Sequence, residues 1–344
     1  MDKFYLIGNA GGKAHNLDGQ TVKTQMMIQL MSDLKLDFQY YDTEDFAGNR
    51  WSVFEMFRNV CRVDKLIYLP AQRNLLLIFP LIFVLSKLSH TKIYYFVIGG
   101  WLAEYLKTKP LHRWMLKRIE RICTETDLLK NRLQTEYGFD NVIQFDNYRY
   151  FDNSFVENHQ KGTLKVVFCA RVERIKGIET LLQMAQFSHE KYPDQVFVDV
   201  YGKIPSSESE WKDIIQSCPN VEYKGVLKPE EIASTLSKYD VSVLPTKYTG
   251  EGLPGTVIDA FVAGIPIIIT EWQYAHEFIQ DGVNGFIIPF GDCLDVLKDK
   301  IIYLLEYENE LSQMKRAAFK SRERFSAEGA RKKFAEIVGV IFLS

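Results

Sequence analysis

Nearly from end to end, short runs of β-branched and aromatic residues alternate with helix-length amphipathic stretches, and this alternation constrains the fold more than any other feature. A strand, helix, strand rhythm predicts parallel sheets joined by crossover helices, an α/β fold. In the first half the pattern predicts strands over 4–8, 38–42, 65–70, 92–98 and 141–147. In the second half it predicts strands over 164–172, 196–202, 221–226, 240–245, 265–270 and 285–290, with helix after Asp292 to the end. The polar stretch 151–163 has little to bury and reads as the linker. A chain of 344 residues exceeds what one core usually supports. The expected organisation is therefore a Rossmann-like domain over 1–152, a second over 153–325, and a terminal helix over 326–344 that returns to the first domain. Open parallel sheets bind ligands outside the carboxyl ends of their strands, so the predicted site is a central cleft faced by both domains.

Composition narrows the function classes. Hydrophobic content of 47% and charged content of 25% are ordinary for a globular protein, and a net charge of −2 gives no whole-chain case for nucleic acid. The cysteines (Cys61, Cys123, Cys169, Cys218 and Cys293) form no C-x-x-C pair, and the histidines no H-E-x-x-H. Neither a disulfide framework nor a metal site is expected, and the chain reads as reduced and cytoplasmic. The opening run reaches glycine too early for a secretory leader. Leu75 to Leu85 is apolar but interrupted by Pro80, and its eleven residues fall short of the roughly 20 that span a bilayer, so a buried helix is expected.

Three segments fall at predicted strand ends. The first, "GNAGGKAHNLDGQTVKTQ" from Gly8, misses the phosphate-binding Walker A spacing by one residue and has Ala14 where a magnesium-holding hydroxyl belongs. Gly11 and Gly12 still suit a loop whose backbone approaches a phosphate or sugar, with an ordinary turn as the alternative. The second, "CARVERIKG", puts Arg171 and Lys176 beside a helix expected from Gly177, where two permanent cations make a diphosphate site without a metal. The alternative is a solvated basic turn in which Glu173 and Arg174 pair on the surface. The third, "TKYTGEGLPGTVIDAFVAG", carries Glu251 in the loop, the Gly255 and Thr256 amides at the start of a helix over 256–263, and Asp259 one turn in. A carboxylate before a helix suits sugar hydroxyls, one a turn later suits ribose, and the amides between them suit phosphate. A capping role for Glu251 and an outward-facing Asp259 are the alternatives.

Taken together, "FCARVERIKGIETLL", "DVSVLPTKYTGEGLPGTVIDAFVAGIPIIIT" and "EFIQDGVNGFIIPFGD" resemble the nucleotide-sugar-binding half of glycosyltransferase family 4, strongly over 164–300 and more weakly over 1–150. The resemblance implies the GT-B architecture and a hexosyltransferase-type enzyme that retains anomeric configuration without a metal. It implies a UDP- or GDP-linked sugar donor as substrate, no cofactor, and a glycan or lipid-linked acceptor. Through "NLDGQTVKT" and "FVIGGWL", it resembles members that build bacterial capsule or other surface polysaccharides. It implies that Arg171 and Lys176 neutralise the leaving diphosphate and that Glu251 contacts the donor sugar. Gly252, Leu253, Pro254, Gly255 and Thr256 would lie against sugar and phosphate, with Asp259 in the place of a ribose-binding glutamate. Two positions depart from the family: aspartate at 259 is one methylene short, and Gly99, Gly100 and Trp101 stand where a histidine is common. A sugar-nucleotide epimerase of the same fold and a non-catalytic nucleotide-sugar sensor are the alternatives.

The segment Leu106 to Arg121 interleaves Lys107, Lys109, Arg113, Lys117, Arg118 and Arg121 with Leu111, Trp114, Met115 and Ile119. Read as one helix, it places Arg113, Lys117 and Arg121 on a single face. The expectation is a peripheral, salt-sensitive contact with the inner face of the cell membrane, the alternative being an ordinary helix packed on the first sheet.

Overall fold

Strands β1 (Lys3–Gly8) and β3 (Lys65–Leu69) consist almost wholly of buried residues, as parallel strands covered on both faces must. The computed structural model describes residues 2–12, 19–47, 50–152 and 160–341. It divides into two units, Met1–Tyr148 with Ala327–Ser344, and Arg149–Ser326. Each is built on a six-stranded parallel sheet.

In the first unit β2 (Asp37–Asp42), β4 (Lys92–Phe96), β5 (Arg121–Thr124) and β6 (Val142–Gln144) complete the order β2-β1-β3-β4-β5-β6. The chain leaves β1 in one direction and returns to its other side at β3, which makes the β1/β3 boundary this sheet's switch point. The helix Ala327–Val338 belongs to this unit. Its Phe334 stacks on Phe96 with centroids 5.9 Å apart and meets Phe145 edge-on at 6.4 Å. Lys65 is buried, and its Nζ donates to the Val338 carbonyl at 2.6 Å, a cation placed where the helix leaves its last carbonyls unsatisfied.

Two expectations for this unit are corrected. Residues 106–121 are not one helix: Leu102–Leu106 and Pro110–Leu116 are separate, because Pro110 has no amide to continue a helix but suits a first turn. Arg121 opens strand β5, which the sequence pattern did not reveal, so it shares no helix face with Arg113 and Lys117. The run at Leu75 to Leu85 is likewise two helices, Gln72–Leu77 and Phe79–Ser89, with Pro80 in the first turn of the second. Leu75, Phe79, Ile82 and Phe83 are buried, whereas Leu77, Leu81, Val84 and Leu88 are exposed, so the run is amphipathic and not wholly buried.

In the second unit β7 (Leu164–Cys169), β8 (Val196–Tyr201), β9 (Val221–Gly225), β10 (Val241–Leu244), β11 (Ile267–Thr270) and β12 (Gly285–Ile288) lie in the order β12-β11-β10-β7-β8-β9. The order reverses between β7 and β10, whose strands pair directly. Of the expected linker, 153–159 lie outside the described residues.

Because Phe334 fills the core of a unit otherwise made of residues before 149, Phe334→Ala is expected to cost about 3–5 kcal/mol. A fall in the urea midpoint measured by circular dichroism checks this, and an unchanged midpoint would show that the terminal helix contributes little.

Candidate functional site

The β7/β10 boundary is where this sheet leaves a crevice at its strand ends, and two loops meet there. After β7 the chain runs through Ala170 to Glu173, makes a 3-10 turn at Arg174–Lys176, and passes through Gly177 into the helix Ile178–Lys191. Gly177 has φ 85°, and a Cβ there would collide with the Pro245 carbonyl beyond β10, so both backbone conformation and space require glycine. The loops are also tied by hydrogen bonds. Lys247 N–H donates to the Ile175 carbonyl at 2.8 Å, and Thr246 Oγ1 lies 3.4 Å from the same carbonyl, while Thr270 Oγ1 at the end of β11 anchors the second loop by donating to the Thr246 carbonyl at 2.5 Å.

These ties bring Lys176 and Glu251 together. Lys176 Nζ donates to Glu251 Oε1 and sits 5.2 Å from the Tyr248 ring centroid, and both side chains of the pair are largely shielded from water. Thr246 Oγ1 lies 3.4 Å from the same Glu251 oxygen. Arg171 is not part of the pair. It is half exposed and bonds Glu173 at 3.0 Å, while Arg174 bonds Glu179 at 3.0 Å and leans on the Trp211 ring. The expected pair of cations is thus one shielded lysine joined to a carboxylate, with an arginine two residues past β7 that is open to solvent.

The third segment supplies the helix Gly255–Ala263, closed by Gly264 at φ 74°. Its N-cap is Pro254, and no side chain caps it. Such an end presents main-chain amides and a positive partial charge to an incoming anion. Thr256 Oγ1 donates to the Cys169 carbonyl at 3.0 Å, fixing the helix start to the end of β7. Gly252 accepts a hydrogen bond from Trp272 Nε1 at 2.8 Å, and Leu253 is buried beneath the loop. Asp259 does not face outward. Its Oδ1 accepts from Arg149 Nε at 2.7 Å, and its Oδ2 lies 3.4 Å from Arg149 Nη2. Burial, reinforced by the Asp259 charge, pushes the Cys169 thiol up to about 12, so it is a neutral thiol at physiological pH and no nucleophile.

The first unit has its own strand-end groups, described separately. Beyond β1, Gly11 (φ 100°) and Gly12 (φ 55°) make a tight turn. Asn9 Oδ1 accepts the Gly11 amide at 2.9 Å, and Asp42 Oδ2 accepts the Gly12 amide at 2.9 Å. The two amides serve the turn here, and a ligand oxygen would have to displace these side chains. Lys13 to Asp18 lie outside the described residues. Sequence reading missed a buried ion pair at the ends of β4 and β5. Lys23 Nζ bonds Glu125 Oε1 at 2.8 Å and the Val97 carbonyl at 2.6 Å, and Glu125 Oε2 accepts the Gly99 amide at 3.3 Å. The only local sign was a lysine within an otherwise uncharged helix, Gly19–Asp33 up to its last residue. Trp101 packs edge-on against Tyr105 at 5.5 Å. Among the described residues, no three His, Cys, Asp or Glu side chains gather as a metal site.

Residues 150–321, half of the chain, match the family described as glycosyl transferases group 1. The chain belongs to this family. This group 1 glycosyltransferase is 27% identical over 181 residues to the UDP-N-acetylglucosamine–peptide N-acetylglucosaminyltransferase GtfA subunit of Streptococcus pneumoniae, covering 50% of the chain and 35% of the relative. It is 27% identical over 180 residues to the capsular polysaccharide biosynthesis glycosyltransferase CapM of Staphylococcus aureus, covering 50% and 46%. The matched stretches span about half or less of these relatives' lengths. Among solved structures, Anabaena HepE in complex with UDP-glucose superposes with a TM-score of 0.75 at 13% identity, over 98% of this chain and all of that one. The pneumococcal O-GlcNAc transferase GtfA in complex with UDP and GlcNAc gives 0.69 at 18% identity, over 83% and 59%. The paired Rossmann-like units are those of the GT-B fold.

Gly177→Ala forces a left-handed residue and a backbone collision where the two site loops touch. It is expected to cost about 2–4 kcal/mol, read as a lower denaturation midpoint. Wild-type stability in this variant would mean that the loops part without cost.

Proposed function

We propose that this glycosyltransferase moves a sugar from a UDP- or GDP-linked donor to a glycan or lipid-linked acceptor in surface polysaccharide synthesis, retaining anomeric configuration and using no metal. The observation that carries the reading is the convergence of Lys176, Glu251 and an uncapped helix start at the β7/β10 switch point. Breaking the bond between the anomeric carbon and the diphosphate oxygen leaves negative charge on the diphosphate and positive charge on the sugar. Lys176 and the amides of Gly255 and Thr256 stabilise the former, with Arg171 reaching in from the solvent side. Lys176 carries three N–H donors, so it bonds Glu251 and a phosphate oxygen together. Glu251 accepts a donor-sugar hydroxyl and orients the ring. The acceptor hydroxyl attacks the face from which the diphosphate departs, and a leaving phosphate oxygen takes its proton. Gly252 to Pro254 line the sugar side, and Asp259 receives the ribose. Kinship with a capsular enzyme supports the polysaccharide context.

Incubating the full chain with several sugar nucleotides, with and without lipid-linked acceptor, tests the reading. Diphosphate release that depends on acceptor is expected. Isomerised sugar nucleotide would mark an epimerase, and binding without turnover a sensor. Lys176→Ala should lower transfer about 10²–10³-fold, and Arg171→Ala about tenfold because solvent weakens its field. Turnover should persist in EDTA. Full activity in Lys176→Ala, or a strict magnesium requirement, would contradict the mechanism.

We also propose that the chain docks on an anionic membrane surface through its first unit, by a patch different from the single helix face expected. Among the described residues no helix is long and apolar enough to cross a membrane. Leu81 (46% exposed), Val84 (52%) and Leu88 (74%) share one stripe of the helix Phe79–Ser89. Beside it Trp114 packs on Phe83 at 5.6 Å and under the Arg118 guanidinium at 4.3 Å. Lys87, Lys117 and Arg118 are exposed, whereas Arg113 leans on the Tyr137 ring. Apolar side chains among exposed cations suit the headgroup boundary of an anionic bilayer. Co-sedimentation with phosphatidylglycerol vesicles at low salt is expected, fading as salt rises and lost in Leu81→Glu/Leu88→Glu. Equal pelleting of that variant would exclude this patch.

A further inference from the structure

We infer that Arg149 is a positioning residue for nucleotide recognition: its guanidinium holds the Asp259 carboxylate in the orientation that accepts the ribose hydroxyls. The inference rests on the donor-site reading above. Aspartate at 259 reaches less far than glutamate, so the direction in which its two oxygens point decides whether they meet a ribose, and a second group fixes that direction. Arg149 does so from 110 positions away in sequence, with Nε 2.7 Å from Oδ1 and Nη2 3.4 Å from Oδ2. Both side chains are only 13% exposed, so solvent competes little for the contact.

The backbone of Arg149 is itself fixed. Its N–H donates to the Phe325 carbonyl at 2.9 Å, and it bridges Ser326, where the chain leaves the second unit. Room for the guanidinium comes from Gly255, because a Cβ there would lie 2.8 Å from Arg149 Nη2. A Cβ at this helix start would therefore press on the guanidinium and shift it relative to Asp259. A carboxylate offers about four lone-pair directions, and the arginine contact takes one on Oδ1 and faces one on Oδ2, leaving each oxygen a further acceptor direction for a ribose hydroxyl. The 2′- and 3′-hydroxyls of a ribonucleotide are donors of the kind these acceptors take. The positive charge also offsets Asp259, whose carboxylate would otherwise stand one turn from the amides that take the diphosphate.

Calorimetry on the full chain with UDP and GDP, followed by the 2′-deoxy and 3′-deoxy counterparts of the tighter binder, tests the role. Wild type should prefer the ribonucleotide about tenfold or more. Arg149→Met should weaken ribonucleotide binding about tenfold, leave the deoxy forms within about twofold, and so erase the preference. Gly255→Ala, which retains both charged residues but crowds the guanidinium, should shift the preference the same way in a protein whose melting is checked in parallel. Equal losses for ribo and deoxy ligands would reduce Arg149 to a structural ion pair. Tighter binding in Arg149→Met would show that Arg149 masks Asp259. Either result overturns the inference while leaving the donor site intact, whereas a wild type that binds neither diphosphate overturns both.

Discussion

Withdrawing a lysine and a glutamate from water is costly, and a well-packed apolar pair would often hold two loops together as well or better. Lys176 and Glu251 nonetheless meet where the loops after β7 and β10 are stitched, against Thr246 and the Tyr248 ring. The loop geometry depends on glycine at 177, and the helix start beside it depends on the Thr256 bond to Cys169. In the proposed function the shielded cation and the uncapped helix start both serve an anion, and the neighbouring carboxylate orients that cation before any ligand arrives. Preorganisation of this kind is what stabilises charge developing in a transition state, because no solvent has to rearrange as the bond breaks.

The ion pairs of the strand ends follow a common pattern. Lys176 with Glu251, Arg149 with Asp259 and Lys23 with Glu125 each join a cation to a carboxylate from a distant part of the chain. By contrast, Arg171 with Glu173 and Arg174 with Glu179 join near neighbours in solvent, where ion pairs contribute little. The shielded pairs hold oriented polar groups, and the surface pairs leave their arginines free to reorient. In the proposed function, Arg171 would follow a diphosphate and Lys176 would receive it.

The alternation of apolar runs made the two parallel sheets legible, because buried parallel strands must be apolar on both faces. The same rule concealed β5. Its four residues begin with Arg121 at the end of a basic, helix-like stretch, and its pairing between β4 and β6 is what makes it a strand. The break at Pro110 was visible in the sequence but outweighed by the apparent amphipathic period. Around the site, Lys176, Glu251 and the glycine-rich helix start were legible because loop chemistry is local. Arg149 was not, since nothing near it signals a partner 110 positions away. Nor could sequence alone show that Asp42 takes the amide of Gly12, which depends on β2 lying beside β1.

The claim on which the rest turns is that a nucleoside diphosphate is held where the loops after β7 and β10 meet. Hydrogen–deuterium exchange on the full chain, with and without saturating UDP or GDP, tests it most directly by reporting location independently of turnover. Slower exchange is predicted over 171–177 and 246–259 for at least one of the two ligands. Protection confined to other segments, with these two unchanged under saturation, would contradict the account.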